Sequence, residues 1–273
     1  MTVSEPLVRA YEPHRFKSAV PFYEGYRLGY PERLVQRVIA LAGLRPGDSV
    51  LDLGTGPGFL AVPFAQAGMT VTAADPEPAM LDAAAVAADA AGVPLTLWQG
   101  GSYELTPAMG PFKLVTIGRA FHWMDREATL AMLDKIVAPD GGVAFFHDAH
   151  PDVPENRWFK ALCEVTDRYN KEAAHAAERK RGGHRRYEPY LFASAFVRLD
   201  GLSVTSRAEI SLDALVGRAF SMSACAPDQL NERGPQFEAE LRAALAPFAT
   251  HDKVVEVAEM VAVLARRMEQ GAV

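Results

Sequence analysis

Two carboxylates frame a run of glycines: Asp52, then Gly54-Thr55-Gly56-Pro57-Gly58, then Asp75 at the end of Val71-Thr72-Ala73-Ala74-Asp75. Glycines at this spacing let a ligand lie against bare backbone, and a carboxylate such as Asp75 accepts two ribose hydroxyls at once. Phe59 stands where a dinucleotide fingerprint requires its last glycine. Asp52 would repel a pyrophosphate but attract the ammonium of an amino acid. The loop therefore suits a cationic nucleoside such as S-adenosylmethionine (SAM). Asp52 has a second reading, as an acceptor for backbone N–H groups of its own loop.

Further chemistry-bearing residues follow. His122 lies beside Trp123 and Asp125, and is either a proton acceptor or a packed, hydrogen-bonded spacer. His147, Asp148 and His150 form a second group, in which an Asp–His pair would orient a base or simply tie a loop. Arg185 and Arg186 end the densest basic run, Arg179-Lys180-Arg181-Gly182-Gly183-His184-Arg185-Arg186. That run is either a solvated surface or a grip on an acidic group of a substrate. Tyr23, Tyr26, Arg27 and Tyr30 precede the first helix and either close over the site or pack beneath it. Cys163 and Cys225 have no His or Cys at ligand spacing, so we expect no metal.

Val50-Leu51-Asp52-Leu53-Gly54-Thr55-Gly56-Pro57-Gly58 resembles the first motif of the class I SAM-dependent methyltransferases, and Asp75-Pro76 with Met80-Leu81 resembles the second. Gly100-Gly101-Ser102-Tyr103-Glu104, Thr116 to Asp125 and Leu133 to Gly142 continue the similarity in order. The Phe121-His122-Trp123-Met124-Asp125 run is similar to a small-molecule branch that includes trans-aconitate-type methyltransferases. The resemblance covers residues 20–150 well. It implies that Gly101, Ser102 and Tyr103 face adenine, with Tyr103 as a plain surface aromatic the alternative. It further implies that Gly118, Arg119 and Ala120 wall the sulfonium and that Tyr23 closes over the cofactor. His122 and His147 are the candidate bases; Tyr26, Arg27, His150, Arg185 and Arg186 are the candidate substrate contacts.

These residues need a scaffold that gathers strand ends. Strands read at 49–53, 70–74, 95–98, 113–117 and 142–147 alternate with helices at 31–42, 58–67, 76–90 and 126–137. Such alternation predicts an α/β, Rossmann-like, mostly parallel sheet with helices on both faces. In such a sheet ligands bind beyond the carboxyl ends of the strands, where Asp52, Asp75, Gly100–Tyr103, Gly118–His122 and His147 all fall. Residues 154–178 read helical and 227–247 read as one long amphipathic helix. A strand at 202–210 and a valine-rich one near 253–264 complete seven, antiparallel as the resemblance implies. We expect residues 1–33 as a segment closing over the cofactor, 34–150 as the core, 151–200 as an inserted lid between strands five and six, and 201–273 as the completion of the sheet.

Bulk properties exclude several classes. A chain of 273 residues with 49% hydrophobic and 23% charged residues has the makings of a packed globular core. A net charge of −6 argues against nucleic acid or an anionic membrane surface as partner. No 18-residue apolar stretch and no basic-then-apolar leader occurs, so the expected location is cytoplasmic. The expected activity is methyl transfer from SAM to an O, N or C nucleophile, or a carboxylate, of a small molecule. The alternatives are SAM binding without transfer and a nucleotide-dependent oxidoreductase, with monomer or homodimer left open.

Overall fold

The computed structural model describes residues 17–170 and 187–268. The basic run, with Arg185 and Arg186, lies outside them, as does the helical reading beyond residue 170.

Seven strands form one sheet in the order β3-β2-β1-β4-β5-β7-β6. They are β1 (Ser49–Leu53), β2 (Thr70–Asp75), β3 (Thr96–Gln99), β4 (Phe112–Gly118), β5 (Val137–Ala149), β6 (Arg198–Ser211) and β7 (Lys253–Arg266). The first five are parallel, and β7 runs antiparallel to both β5 and β6. Strand order reverses between β1 and β4, which marks the ligand end of the sheet. The predicted architecture stands, and the valine-rich segment is the last strand.

Alternation along the central strands sends neighbouring residues to opposite faces. Val50, Val71, Leu114, Ala144 and Phe146 pack on one side with Leu34, Val35 and Val38 of α2 (Glu32–Ala42) and Phe64 of α3 (Ala61–Gln66). Leu51, Leu53, Val115, Ile117 and Phe145 pack on the other with Leu130 and Leu133 of α5 (Arg126–Ile136). The helix between them in sequence, α4 (Pro78–Ala91), ends at Gly92 in the left-handed region, φ 66°.

Three details differ from the sequence reading. Residues 21–31, whose Gly and Pro content reads as too rich for a helix interior, instead begin within α1 (Val20–Tyr26), because Pro21 occupies the first turn, where its missing N–H costs nothing. Pro139-Asp140-Gly141-Gly142, which reads as a turn in the sequence, is absorbed into β5 as an irregularity opposite Phe112 and Leu114. A Cβ at Gly141 would lie 2.7 Å from the Lys113 carbonyl, so only glycine permits that approach.

The third difference concerns the C-terminal part. Between β6 and β7 lie α8 (Leu212–Phe220), α9 (Pro227–Leu230) and α10 (Gly234–Leu245), so the long helix expected at 227–247 is broken and another precedes it. Trp158, Leu162 and Val165 of α6 (Arg157–Tyr169) join Leu215, Val216, Phe237 and Leu241 in a third core. Tyr187 and Leu191, at α7 (Glu188–Phe192), belong instead to the core under α5. The described residues of 151–200 are thus shared between two cores, and residues 201–268 add a helical layer as well as two strands.

Candidate functional site

The glycine loop leaves β1 with Gly54, Gly56 and Gly58 at φ 75°, 54° and 86°, values that L side chains rarely adopt. Gly54 and Thr55 donate their backbone N–H groups to the Ala74 carbonyl at 2.8 and 2.9 Å, which holds the loop against β2. A Cβ on Gly54 would meet that of Ala120 at 2.5 Å, whereas Gly56 is open apart from the Met80 sulfur, 4.0 Å from where its Cβ would be. The first glycine serves packing and the second leaves room for a ligand.

Asp52 is buried and accepts from Thr55 Oγ1 at 2.6 Å, Thr116 Oγ1 at 2.7 Å and the Ala61 N–H at 3.2 Å. Burial pushes its carboxyl above the usual range, and those three donors oppose the shift. Its loop-holding role is therefore realised, with one acceptor position left on Oδ1. Asp75 spans the same junction: Oδ2 accepts the Gly56 N–H and Oδ1 the Glu77 N–H, both at 2.9 Å. Burial raises its pKa to about 6, against the pull of these two bonds. Each Asp75 oxygen retains a free acceptor position of the kind a ribose diol fills.

Beyond β2 and β3, Pro76 flanks Gly101, whose N–H donates to Glu104 Oε2 at 2.9 Å. Ser102 shares that turn, and Tyr103 stands 53% exposed. At the end of β4, a Cβ on Gly118 would strike Leu60 and the Tyr30 hydroxyl at 2.8 and 3.0 Å. Arg119 sits at φ 55°, a strained conformation for a non-glycine residue. Its N–H bonds to the Phe146 carbonyl at 2.9 Å and its guanidinium to Leu28 O and Asp148, while its charge lies 4.7 Å from the Tyr30 ring centroid.

Two adjoining cavities result. The smaller is lined by Tyr23, Tyr30, Asp52, Gly54, Thr55, Gly56, Phe59, Leu60, Gly118 and Arg119. The larger, about 360 Å³, is lined among others by Arg27, His122, Trp123, His147, Asp148, Tyr187 and Ser221. Tyr23 and Arg119 line both. His122 and His147 therefore share one chamber, His122 with its ring 5.0 Å from Trp123 and His147 5.8 Å from Tyr187. Asp125 is accounted for separately, as the N-cap of α5, accepting from the Ala128 N–H at 3.0 Å. Burial works against the Asp148 charge, but Arg119 and Arg27 outweigh it and hold the carboxyl below its ordinary value.

Two expected substrate contacts are placed elsewhere. His150 is almost wholly buried, its Nε2 2.8 Å from Glu256 Oε1 and its ring stacked 4.1 Å from Phe159. It lies just past the end of β5, where the chain has turned toward the helical layer. Tyr26 packs on Gly217 of α8, one turn of α1 away from Tyr23. Phe59, Leu60, Tyr187 and the Ser221–Ser223 turn line the cavities without having been singled out. An aromatic next to the glycine loop was the available signal for Phe59; Ser221–Ser223 carry none.

Residues 50–141 match the model of a methyltransferase domain. An uncharacterized methyltransferase of Mycobacterium tuberculosis is 29% identical over 154 residues, 56% of this chain and 59% of that protein. The chain thus spans about six tenths of the length of that relative. The protein-L-isoaspartate O-methyltransferase of Methylorubrum extorquens is 32% identical over 101 residues, covering 37% and 44% of the two chains. Among solved structures, a SAM-dependent methyltransferase from Geobacter sulfurreducens in complex with S-adenosyl-L-homocysteine superposes with TM-score 0.53 at 16% identity, over 94% and 99% of the chains. The YcgJ protein of Bacillus subtilis gives TM-score 0.54 at 16% identity, over 88% and 100%. With the reversal of strand order at β1 and β4 and the glycine loop between two buried aspartates, the sheet has the class I SAM-dependent methyltransferase fold, and residues 50–141 are similar to a methyltransferase domain.

Proposed function

We propose that the protein transfers the methyl group of SAM to a small molecule held in the larger chamber. The observation that carries this reading is the junction of the two cavities at Tyr23 and Arg119. One side sets bare glycine backbone and the Asp52 carboxylate beneath Tyr23, Tyr30 and Phe59; the other adds His122, His147, Trp123 and Arg27. SAM, when bound, supplies a methyl group on a sulfonium, an electrophile that needs no metal. The residues present fit that group. Gly56 leaves open backbone, Asp75 keeps acceptor positions for a ribose, and Asp52 keeps one for an ammonium. Pro76, Met80, Gly101, Ser102 and Tyr103 are the proposed adenine surround, and Gly58 and Ala120 hold the loop's shape.

The protein's part in such a displacement is to aim the nucleophile and exclude water. Trp123, Tyr187 and Met222 supply apolar wall to the chamber. His122 and His147 are the groups there able to take a proton from a hydroxyl or amine acceptor. A chamber of about 360 Å³ falls in the range of small-molecule sites, which favours a metabolite over a folded macromolecule. Among the described residues no helix is long and apolar enough to cross a membrane.

Calorimetric titration with S-adenosylhomocysteine, with NADH as control, tests the reading. Micromolar binding that is lost in Asp75→Ala supports it. NADH binding without S-adenosylhomocysteine binding would return the glycine loop to oxidoreductase chemistry.

A further inference from the structure

Arg27 leaves the end of α1 in extended conformation, φ −72° and ψ 141°, and its side chain crosses to the opposite end of the sequence. Nε donates to Ser221 Oγ at 2.8 Å, and Ser221 in turn donates to the Arg218 carbonyl. The guanidinium also lies 5.1 Å from the Tyr23 ring centroid. With Nε engaged and the ring on one face, the fork is held in one orientation. Its two terminal nitrogens have no hydrogen-bond partner among the described residues, and the one carboxylate of the chamber, Asp148, attracts it without a hydrogen bond.

Charge balance sharpens the point. Two guanidiniums line the chamber, those of Arg27 and Arg119, and one carboxylate, Asp148. Asp148 pairs with Arg119 at 3.3 Å. One full positive charge remains, on a half-buried arginine. Burial, with the neighbouring Arg119 and Arg218 charges, lowers the Arg27 pKa from its ordinary value by more than Asp148 restores. An oriented, incompletely solvated guanidinium fork is a receptor for a planar or tetrahedral oxyanion.

Resting on the methyltransferase reading above, we propose that the methyl acceptor carries an anionic group, carboxylate or phosphate, and that Arg27 anchors it through its two terminal nitrogens. Ser221 is the positioning residue that fixes the fork. The anchor sits on the chamber side: Arg27 lines the larger cavity and not the glycine-loop cavity. Its partner is therefore the acceptor and not the amino-acid carboxylate of the cofactor. The histidines remain for the reacting end of the acceptor, so anchoring and proton removal fall to different residues.

The test uses matched probes on the protein saturated with S-adenosylhomocysteine: 4-hydroxybenzoate, its uncharged amide 4-hydroxybenzamide, and phenyl phosphate, each titrated calorimetrically. The acid or the phosphate should bind at least about tenfold more tightly than the amide, a difference of about 1.4 kcal/mol. The better of the two names the oxyanion. In Arg27→Gln that preference should disappear while affinity for S-adenosylhomocysteine stays within twofold, and Ser221→Ala should weaken the preference without abolishing it. Equal binding of acid and amide by the wild-type protein overturns the proposal without recourse to any variant. So does loss of S-adenosylhomocysteine binding in Arg27→Gln, which would assign the fork to the cofactor. Failure of the wild-type protein to bind S-adenosylhomocysteine at all would instead sink the methyltransferase reading, and the acid–amide comparison on the cofactor-free protein still reports on the anchor.

Discussion

Arg119 and Asp148 pair at 3.3 Å across the ends of β4 and β5, and the pair stands where the two cavities meet. Arg119 reaches this position at positive φ, pinned by its backbone bond to Phe146 and its side-chain bond to Leu28. A strained residue of this kind persists only where its surroundings over-determine it, here at the junction of the two cavities. Removing the Asp148 charge with Asp148→Asn should leave Arg119 uncompensated. The acid probes should then bind several-fold tighter, read calorimetrically, although the variant is less stable.

Asp75 makes the cofactor site sensitive to pH. Its pKa of about 6 means that it is a carboxylate at neutrality and loses its hydroxyl-accepting charge on acidification. The sign for stability is opposite. A carboxyl whose pKa rises on folding adds stability at low pH and gives it up as pH rises through about 6. Protonating Asp75 therefore does not unfold the protein. Asp148 and Glu256, both held below their usual values, keep their contributions until pH falls below the ordinary carboxylate range near 4. As pH falls from about 6 to 4 the affinity for S-adenosylhomocysteine should fall while the urea midpoint holds or rises, and Asp75→Asn should flatten the binding curve.

Gly54→Ala meets both a positive φ and the Ala120 side chain at 2.5 Å. It should cost about 1–3 kcal/mol in urea unfolding. Gly92→Ala shares the positive φ, 66°, but has open space around it, so it should cost only about 1 kcal/mol. Equal losses would show that the clash with Ala120 is relieved at no expense.

Arg218, Glu256 and His150 form a buried hydrogen-bonded chain that ties α8 to β7 and to the residue after β5. Burial opposes the Glu256 charge, but hydrogen bonds from His150 and Arg218 override it. Glu256→Gln strands the Arg218 guanidinium and should destabilise by about 3–5 kcal/mol. Adding Arg218→Met should recover part of that loss, a non-additivity that a double-mutant cycle in urea measures directly.

Tyr23 stacks on Phe59 at 5.7 Å and lines both cavities. Tyr23→Ala should weaken S-adenosylhomocysteine and the acid probe alike, each by about 0.5–1.5 kcal/mol. Arg27→Gln should touch only the second, so the two variants separate shared wall from dedicated anchor.

The glycine loop, Asp75 and the strand pattern were legible because backbone conformation and two-residue alternation leave direct marks in a sequence. So was β7, through its valines. The helix α8 also left a mark that went unread. Ser211 caps it by accepting from the Ala214 N–H at 3.1 Å, and Leu212, Leu215, Val216 and Ala219 follow at helical spacing. Missing it hid the Ser221–Ser223 turn and with it the partner of Arg27. His150 left no such mark: its partner Glu256 is 106 positions away, and position on a strand end says nothing about which way the next residue turns. Tyr23 and Tyr26 part company for a local reason, the three-residue spacing on a helix that the Pro and Gly content concealed.

The link between Arg27 and Ser221 joins residues 194 positions apart, whereas every residue lining the smaller cavity falls between Tyr23 and Arg119. On the ribosome, the residues that line the smaller cavity are therefore all made before the turn after α8. The partner of Arg27 waits for that turn. Closing so long a loop is slow relative to local pairing. A nascent or refolding chain should acquire nucleoside affinity first and acceptor selectivity last, which makes the two sites an internal clock for the order of assembly.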